Sequence, residues 1–329
     1  MRISIRHQLS VTPPPGTTNA VLQLLLTPQS GPTQKVESWS VEMAGIGNAG
    51  RFTDAFGNMA HLVNQSKPEG ALAITATGVV TTSDRHGVLG RVGGGPVPAL
   101  YKRITPLTKA STSLYGRFRG SKDSRLDVLH GLMARVGELL ATEEPSEQTQ
   151  SQMAADGSQS QGQSQGGESK PHAGASGYAH AFIGGARALD IPARYVTGYL
   201  VEAEDGQTAF HAWAEAYDEA LGWIGFDPML QLCPTDRHVR LATGLDALGA
   251  QPVRMIPAGD GVKDVEVNVE AAAYTAAVPR RSLGLPLDRA QGAFPNTRPS
   301  PSGLPRGLHT STSTRQVQSP RVKPEGYGR

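Results

Sequence analysis

The sequence predicts a small antiparallel β-sandwich followed by a segment in which helices and strands mix. Three observations carry that reading. Short alternating runs broken by Gly, Pro and Asn fill residues 1–85, an apolar stripe of helical period follows, and a glycine-led helix then runs straight into strand and hairpin patterns. With 329 residues the chain has room for two ordinary domains, or for one domain with tails.

Within residues 1–85, "ISIRHQLSV", "NAVLQLLLTP", "QKVESWSVEM" and "ALAITATGVV" alternate apolar and polar side chains and are rich in β-branched residues. "TDAFGNMAHLV" supplies Asp54, Gly57 and Asn58, which suit a tight connection between two strands. Residues 86–122 read as a linker, because "GVLGRVGGGPVP" is dominated by backbone-permissive glycine. The segment 123–278 is then the expected core. It opens with Asp123 and Ser124 as candidate caps for a helix whose Leu126, Leu129, Met133, Val136 and Leu140 form one stripe.

Residues 145–170 are Ser, Gln and Gly with few apolar side chains. Such a composition buries too little surface to offset its ordering entropy, so a disordered insert is expected. A helix over "YAHAFIGGARALD", a strand opened by Pro192, and a hairpin of "TAFHAWAEAY" and "GWIGFDP" around "DEALG" come next. "PVRMIP" and "KDVEVNVEAAAY" are further strand candidates, and 279–329 is a basic tail expected to be unfolded.

Charge follows that division. The tail holds nine Lys or Arg against Asp288 and Glu325, so the remainder carries −5 of the net +2. These positive charges are scattered among Pro, Ser and Gly, which fits a solubilising end and gives no specific sign of nucleic-acid binding. No apolar run approaches a membrane span and the N-terminus lacks an apolar leader, so the expectation is a cytoplasmic protein without membrane partners. Cys233 is the sole cysteine, which excludes an internal disulfide framework. There is no P-loop or dinucleotide glycine fingerprint. His172, His180 and His238 lack acidic or thiol companions at ligand spacing, so neither a cofactor nor a metal is expected.

The chemistry concentrates in the hairpin. On a strand His211, Trp213, Glu215 and Tyr217 share one face, while Ala212, Ala214 and Ala216 share the other and let a helix approach closely. Asp227 ends the second arm, where its carboxylate could accept the imidazole N–H. A base oriented by a third group is the logic of acyl transfer, and the missing member is a thiol at a helix N-terminus.

"YAHAFIGGARALDIPARYVTGYL", "HAWAEAY" and "GWIGFDP" together resemble the bacterial transglutaminase-like superfamily. "QKVESW" and "DAFGN" resemble the sandwich that precedes the core in bacterial members, and "LCPTDRHVRLATGLDALGAQPVR" is similar to the continuation after the triad aspartate. The resemblance implies an α+β fold: a papain-like transglutaminase core with a Cys-His-Asp triad, preceded by the small antiparallel β-sandwich. It also implies peptide hydrolysis or amide acyl transfer through a thioester. The family's helix opens Gly-Val-Cys-Gln-Asp-(aromatic or His)-Ala-His. Placed without gaps from Phe182 backwards, His180 and Ala179 match, Tyr178 takes the aromatic position, Gly177 replaces the aspartate and Ser176 the glutamine.

Ala175 stands where the cysteine nucleophile belongs, while His211 and Asp227 keep the other two triad positions. A methyl group cannot form a thioester, so the expectation is a pseudoenzyme whose His/Asp cleft binds a peptide, protein or amide-bearing partner. Ser176 is the weak substitute nucleophile, although as the next residue on a helix it is turned about 100° away and suits a capping or solvated role. Cys233, six residues beyond Asp227, suits a buried inert thiol. Two alternatives stay open: a living peptidase or acyl transferase with a substitute nucleophile, and an interaction protein working through its disordered segments.

Overall fold

The computed structural model of the chain describes residues 1–93, 95–141, 173–201 and 208–271. The expected insert at 145–170 and tail at 279–329 lie outside them. Alternation in the first third becomes strand as expected: β1 (Arg2–Val11), β2 (Asn19–Thr27), β3 (Gln34–Glu42), β4 (Gly50–Thr53), β5 (Met59–Ser66) and β6 (Leu72–Thr82). In β1 the pleat sends Ile3, Ile5, His7, Leu9 and Val11 inward, against Leu22, Leu24, Leu26, Val63, Ile74 and Val80. The turn between β4 and β5 forms as its composition suggests. Asp54 Oδ1 accepts the N–H groups of Phe56 and Asn58, both at 2.8 Å, and Gly57 adopts φ 88°.

Neither N-terminal sheet is complete without the end of the core segment. β12 (Val253–Ile256) pairs with β2, and β13 (Val262–Ala271) pairs with β1, giving four-stranded sheets of order β13-β1-β6-β3 and β12-β2-β5-β4. The two strand candidates read within 123–278 therefore hydrogen-bond across that boundary into the sandwich. The described residues, all of which lie within Met1–Ala276, accordingly fall in one compact unit.

The stretch read as a linker is also structured. β7 (Val88–Gly90) pairs with a core strand, and a short helix α1 (Thr112–Tyr115) follows, with Tyr101, Thr108, Leu114 and Tyr115 buried. Glycine-rich composition signalled flexibility, but Tyr101 and Leu114 supply apolar anchors that fix the path.

Helix α2 (Arg125–Ala141) begins with Ser124 Oγ accepting the N–H of Asp127 at 3.2 Å, and buries Leu129, Leu132, Met133 and Val136. Helix α3 (Ala173–Ala188) starts five residues before Tyr178, so Ala175, Ser176 and Gly177 lie inside it. It packs closely because Gly184 and Gly185 have no side chain. A Cβ on Gly184 would sit 2.6 Å from the Thr108 carbonyl oxygen, and one on Gly185 2.7 Å from Leu132. Arg187, buried near its end, donates to the carbonyls of Tyr101, Ala193 and Leu245 and to Thr108 Oγ1, which ties the helix to the former linker.

The five-stranded sheet has the order β11-β8-β9-β10-β7, from β8 (Ala193–Val201), β9 (Thr208–Asp218), β10 (Gly222–Phe226) and β11 (His238–Gly244). One end of it, at Tyr199, Phe210, Val239 and Leu241, shares a buried cluster with the sandwich. A papain-like core fits this arrangement, but strand clearly outweighs helix among the described residues, so the α+β label holds only loosely. No helix among those residues is long and apolar enough to cross a membrane.

Candidate functional site

The pleat of β9 divides its side chains as the sequence predicts. Ala212, Ala214 and Ala216 join a buried cluster with Ala175, Ala179, Phe182 and Ala186 of α3, and Phe182 stacks on Phe226 with centroids 5.0 Å apart. The intervening residues His211, Trp213 and Glu215 turn to the opposite face. Register carries β10 onto the same pattern, with Phe226 opposite Ala214 and Gly225 opposite Glu215. Asp227 therefore follows on the His211 face.

There the structure brings His211 and Asp227 together. The His211 Nε2–H donates to Asp227 Oδ2 at 2.6 Å, and both residues are buried. The other carboxylate oxygen, Oδ1, accepts the Leu230 N–H at 3.2 Å, while the Asp227 backbone pairs with Leu232. A third donor went unread in the sequence: His238 Nε2–H reaches Asp227 Oδ2 at 3.2 Å from β11. Burial alone would raise the Asp227 pKa, but the bonds from His211 and His238 outweigh it and hold the carboxyl at about 2. The buried carboxylate is thus anionic, and it orients the His211 ring through Nε2.

His238, Asp227 and His211 place their donor atoms within 4.8 Å of one another, a spacing that a metal could use. The hydrogen bonding argues otherwise. Thr235 N–H donates to His238 Nδ1 at 3.1 Å, which fixes the tautomer with its proton on Nε2, where a metal would need the lone pair. Burial also lowers the His238 pKa, so the ring is neutral. Pairing through β8 sets His238 on the same face as His211, with His238 opposite Leu200 and His211 opposite Gly198, a register that alternation in "HVRLATG" alone does not reveal.

The head of α3 is apolar at the decisive position. Ala175 is fully buried beside the alanine column, and Gly177 is exposed with open space where a Cβ would point. Ser176 is not directed to His211; its Oγ accepts the Tyr195 hydroxyl at 3.0 Å. Cys233 is half-buried against Gly87, and burial pushes its thiol pKa up, away from thiolate. His180 is structural: Nε2 accepts the Ala247 N–H at 3.1 Å, the ring stacks on Tyr195 at 4.8 Å, and burial drives its pKa down to about 4. Tyr178 lines a surface hollow with Met229 and Gln231. His172 lies outside the described residues.

The remaining buried polar cluster was only partly visible in sequence. Glu215, on the His211 face, accepts Arg194 Nε at 2.6 Å and Arg240 Nε at 2.9 Å, and the Arg194 guanidinium lies 3.9 Å from the centre of the Trp223 ring. Burial raises the Glu215 pKa and the two arginines reverse that, leaving it below the ordinary carboxylate value.

Comparison with known proteins agrees with this architecture. The crystal structure of "a Putative Cysteine Protease from Cytophaga hutchinsonii" superposes with a TM-score of 0.51 at 18% identity, over 84% of this chain and 90% of that one, and so shares the fold. The periplasmic domain of TgpA from Pseudomonas aeruginosa aligns at 16% identity over 70% of this chain and 90% of that one, but with a TM-score of only 0.19. An uncharacterized protein of Mycobacterium leprae (strain TN) is 33% identical over 99 residues, which are 28% of this chain and 35% of that protein, so about a third of the relative's length is spanned. Residues 3–81 match the bacterial transglutaminase-like N-terminal region, and residues 154–228 match the transglutaminase-like superfamily core. Both matches fall where the N-terminal sheets and the helix–hairpin unit stand, so these two segments of the chain are similar to the transglutaminase-like superfamily.

Proposed function

We propose that this transglutaminase-like chain is a pseudoenzyme that binds a peptide or amide-bearing partner without turning it over. The observation that carries the reading is a formed His211–Asp227 pair, at 2.6 Å, in a chain whose helix head offers only the Ala175 methyl where the family's thiol attacks. Acyl transfer needs a lone pair to add to the carbonyl, and a methyl has none. Two features weigh against a substitute: Ser176 Oγ is engaged by Tyr195, and the Cys233 thiol is held protonated by burial.

Restoring the thiol tests the reading. Ala175→Cys is expected to gain hydrolysis or amine transfer on a glutamine-bearing peptide, and His211→Ala in that background to abolish the gain. The wild-type chain is expected to take no label from serine- or thiol-directed acyl probes. Stoichiometric, His211-dependent labelling of wild type at Ser176 or Cys233 would overturn the proposal in favour of a working enzyme.

A further inference from the structure

On the same sheet face as His211 lies a cavity of about 270 Å³, walled by the 29–34 loop of the sandwich, by the glycine-rich stretch around Gly93 and Gly95, and by Trp223. Its floor is charged. Arg194 and Arg240 both reach it, and they share the one carboxylate of Glu215, whose two oxygens are taken by their Nε–H groups. Beyond Glu215, the Arg194 guanidinium interacts with Tyr101, and Arg240 adds a 3.5 Å contact from Nη2 to Glu215. The floor therefore carries one positive charge in excess. Two guanidiniums share one carboxylate, so an anion in this cavity would balance the charge that Glu215 leaves over.

The cavity is fixed in place. Gln34 Oε1 accepts the Arg240 N–H at 2.8 Å and Gln34 Nε2 donates to the Arg240 carbonyl at 2.8 Å, which locks the β11 edge to the sandwich loop. Arg194 is immobilised between Glu215 and the Trp223 ring. A narrow slot of about 20 Å³, enough for roughly one water, shares Thr33, Leu89 and Arg240 with the cavity and runs to Trp213 and His238.

We infer that this cavity is a carboxylate subsite that receives the C-terminal carboxylate of a peptide. The peptide part rests on the cleft reading given above; the carboxylate part rests on the arginines. A monoanion matches the single excess charge, whereas the second charge of a phosphate would go unpaired. The planar fork of guanidinium donors suits a carboxylate's two oxygens.

The test titrates the full chain by ligand-observed NMR with four probes: acetyl-Ala-Ala-Ala as free acid, the same tripeptide as amide, acetyl-Ala-Glu-Ala-amide, and inorganic phosphate. The free acid is expected to bind about tenfold or more tighter than the amide, to weaken as salt rises, and to lose that advantage in Arg240→Gln. Equal binding of acid and amide, or no binding of any probe, overturns the subsite. Equal or better binding of the glutamate amide overturns the C-terminal assignment, and equal binding of phosphate overturns the carboxylate preference. The acid–amide comparison needs no variant, so it decides even if Arg240→Gln does not fold. If Ala175→Cys gains His211-dependent activity while acid and amide bind alike, the cleft reading survives and the subsite falls. If the acid binds through Arg240 and Ala175→Cys gains nothing, the reverse holds.

Discussion

Replacing Asp227 by Asn removes a charge without changing shape, and its cost follows from the bonds around that carboxylate. All three neighbours are donors: Leu230 N–H on Oδ1, and His211 and His238 Nε2–H on Oδ2. An amide offers one acceptor and one donor, so either orientation sets N–H against N–H. That mismatch costs about 1–3 kcal/mol. The depressed pKa expresses largely the same bonds: a carboxyl moved from 3.8 to about 2 in the fold is stabilising by about 2 kcal/mol once ionised.

The sign is set by the depressed folded-state pKa. The contribution is present in full above the unfolded value and is lost as pH falls from about 4 through about 2. Denaturant unfolding of wild type and Asp227→Asn should therefore differ by about 2–3 kcal/mol at pH 7 and by much less near pH 2, where the wild-type carboxyl is about half protonated. A difference that is absent at pH 7, or unchanged from pH 7 to pH 2, would refute the account of Asp227 as a buried anion held by three donors.

Two other perturbations are decided by the same kind of reading. In α3, Gly184→Ala forces a Cβ within 2.6 Å of the Thr108 carbonyl oxygen and should lower stability by about 1–3 kcal/mol, whereas Gly177→Ala meets open space and should be neutral or stabilising by up to about 1 kcal/mol; thermal unfolding of the two variants checks the contrast. His180, half-buried with its pKa lowered from 6.5 to about 4, takes up a proton more readily when unfolded, so stability is full above pH 6.5 and falls by up to about 3 kcal/mol on the way to pH 4. His180→Gln should flatten that part of the pH–stability curve, and an unchanged slope would show that other groups set it.

How far the sequence could be read depended on the range of the interaction involved. Alternation in β1 and the Ala212, Ala214, Ala216 column are local patterns, and both matched the packing. The His211–Asp227 bond was legible too, because the two residues sit on adjacent arms of one hairpin whose register is set by a short turn. His238, Arg194 and Arg240 enter the site only through pairing of β8 with β9 and β11, which no window along the chain displays. The structured path through 86–122 was hidden for another reason. Its glycines advertise freedom, while the groups that remove it, such as Arg187 on the Tyr101 carbonyl at 2.9 Å, lie dozens of positions away.

The partnership of β13 with β1 has a bearing on how the chain is made. Translation releases the first strand long before residues 262–271 exist, so a nascent sandwich must wait with the outer rim of β1 unsatisfied. Such a rim invites pairing with other growing chains. Shortened forms that stop before Val262 should thus be sticky even though every residue of the N-terminal family match is present, and the closing strand acts as the safeguard that ends this exposure.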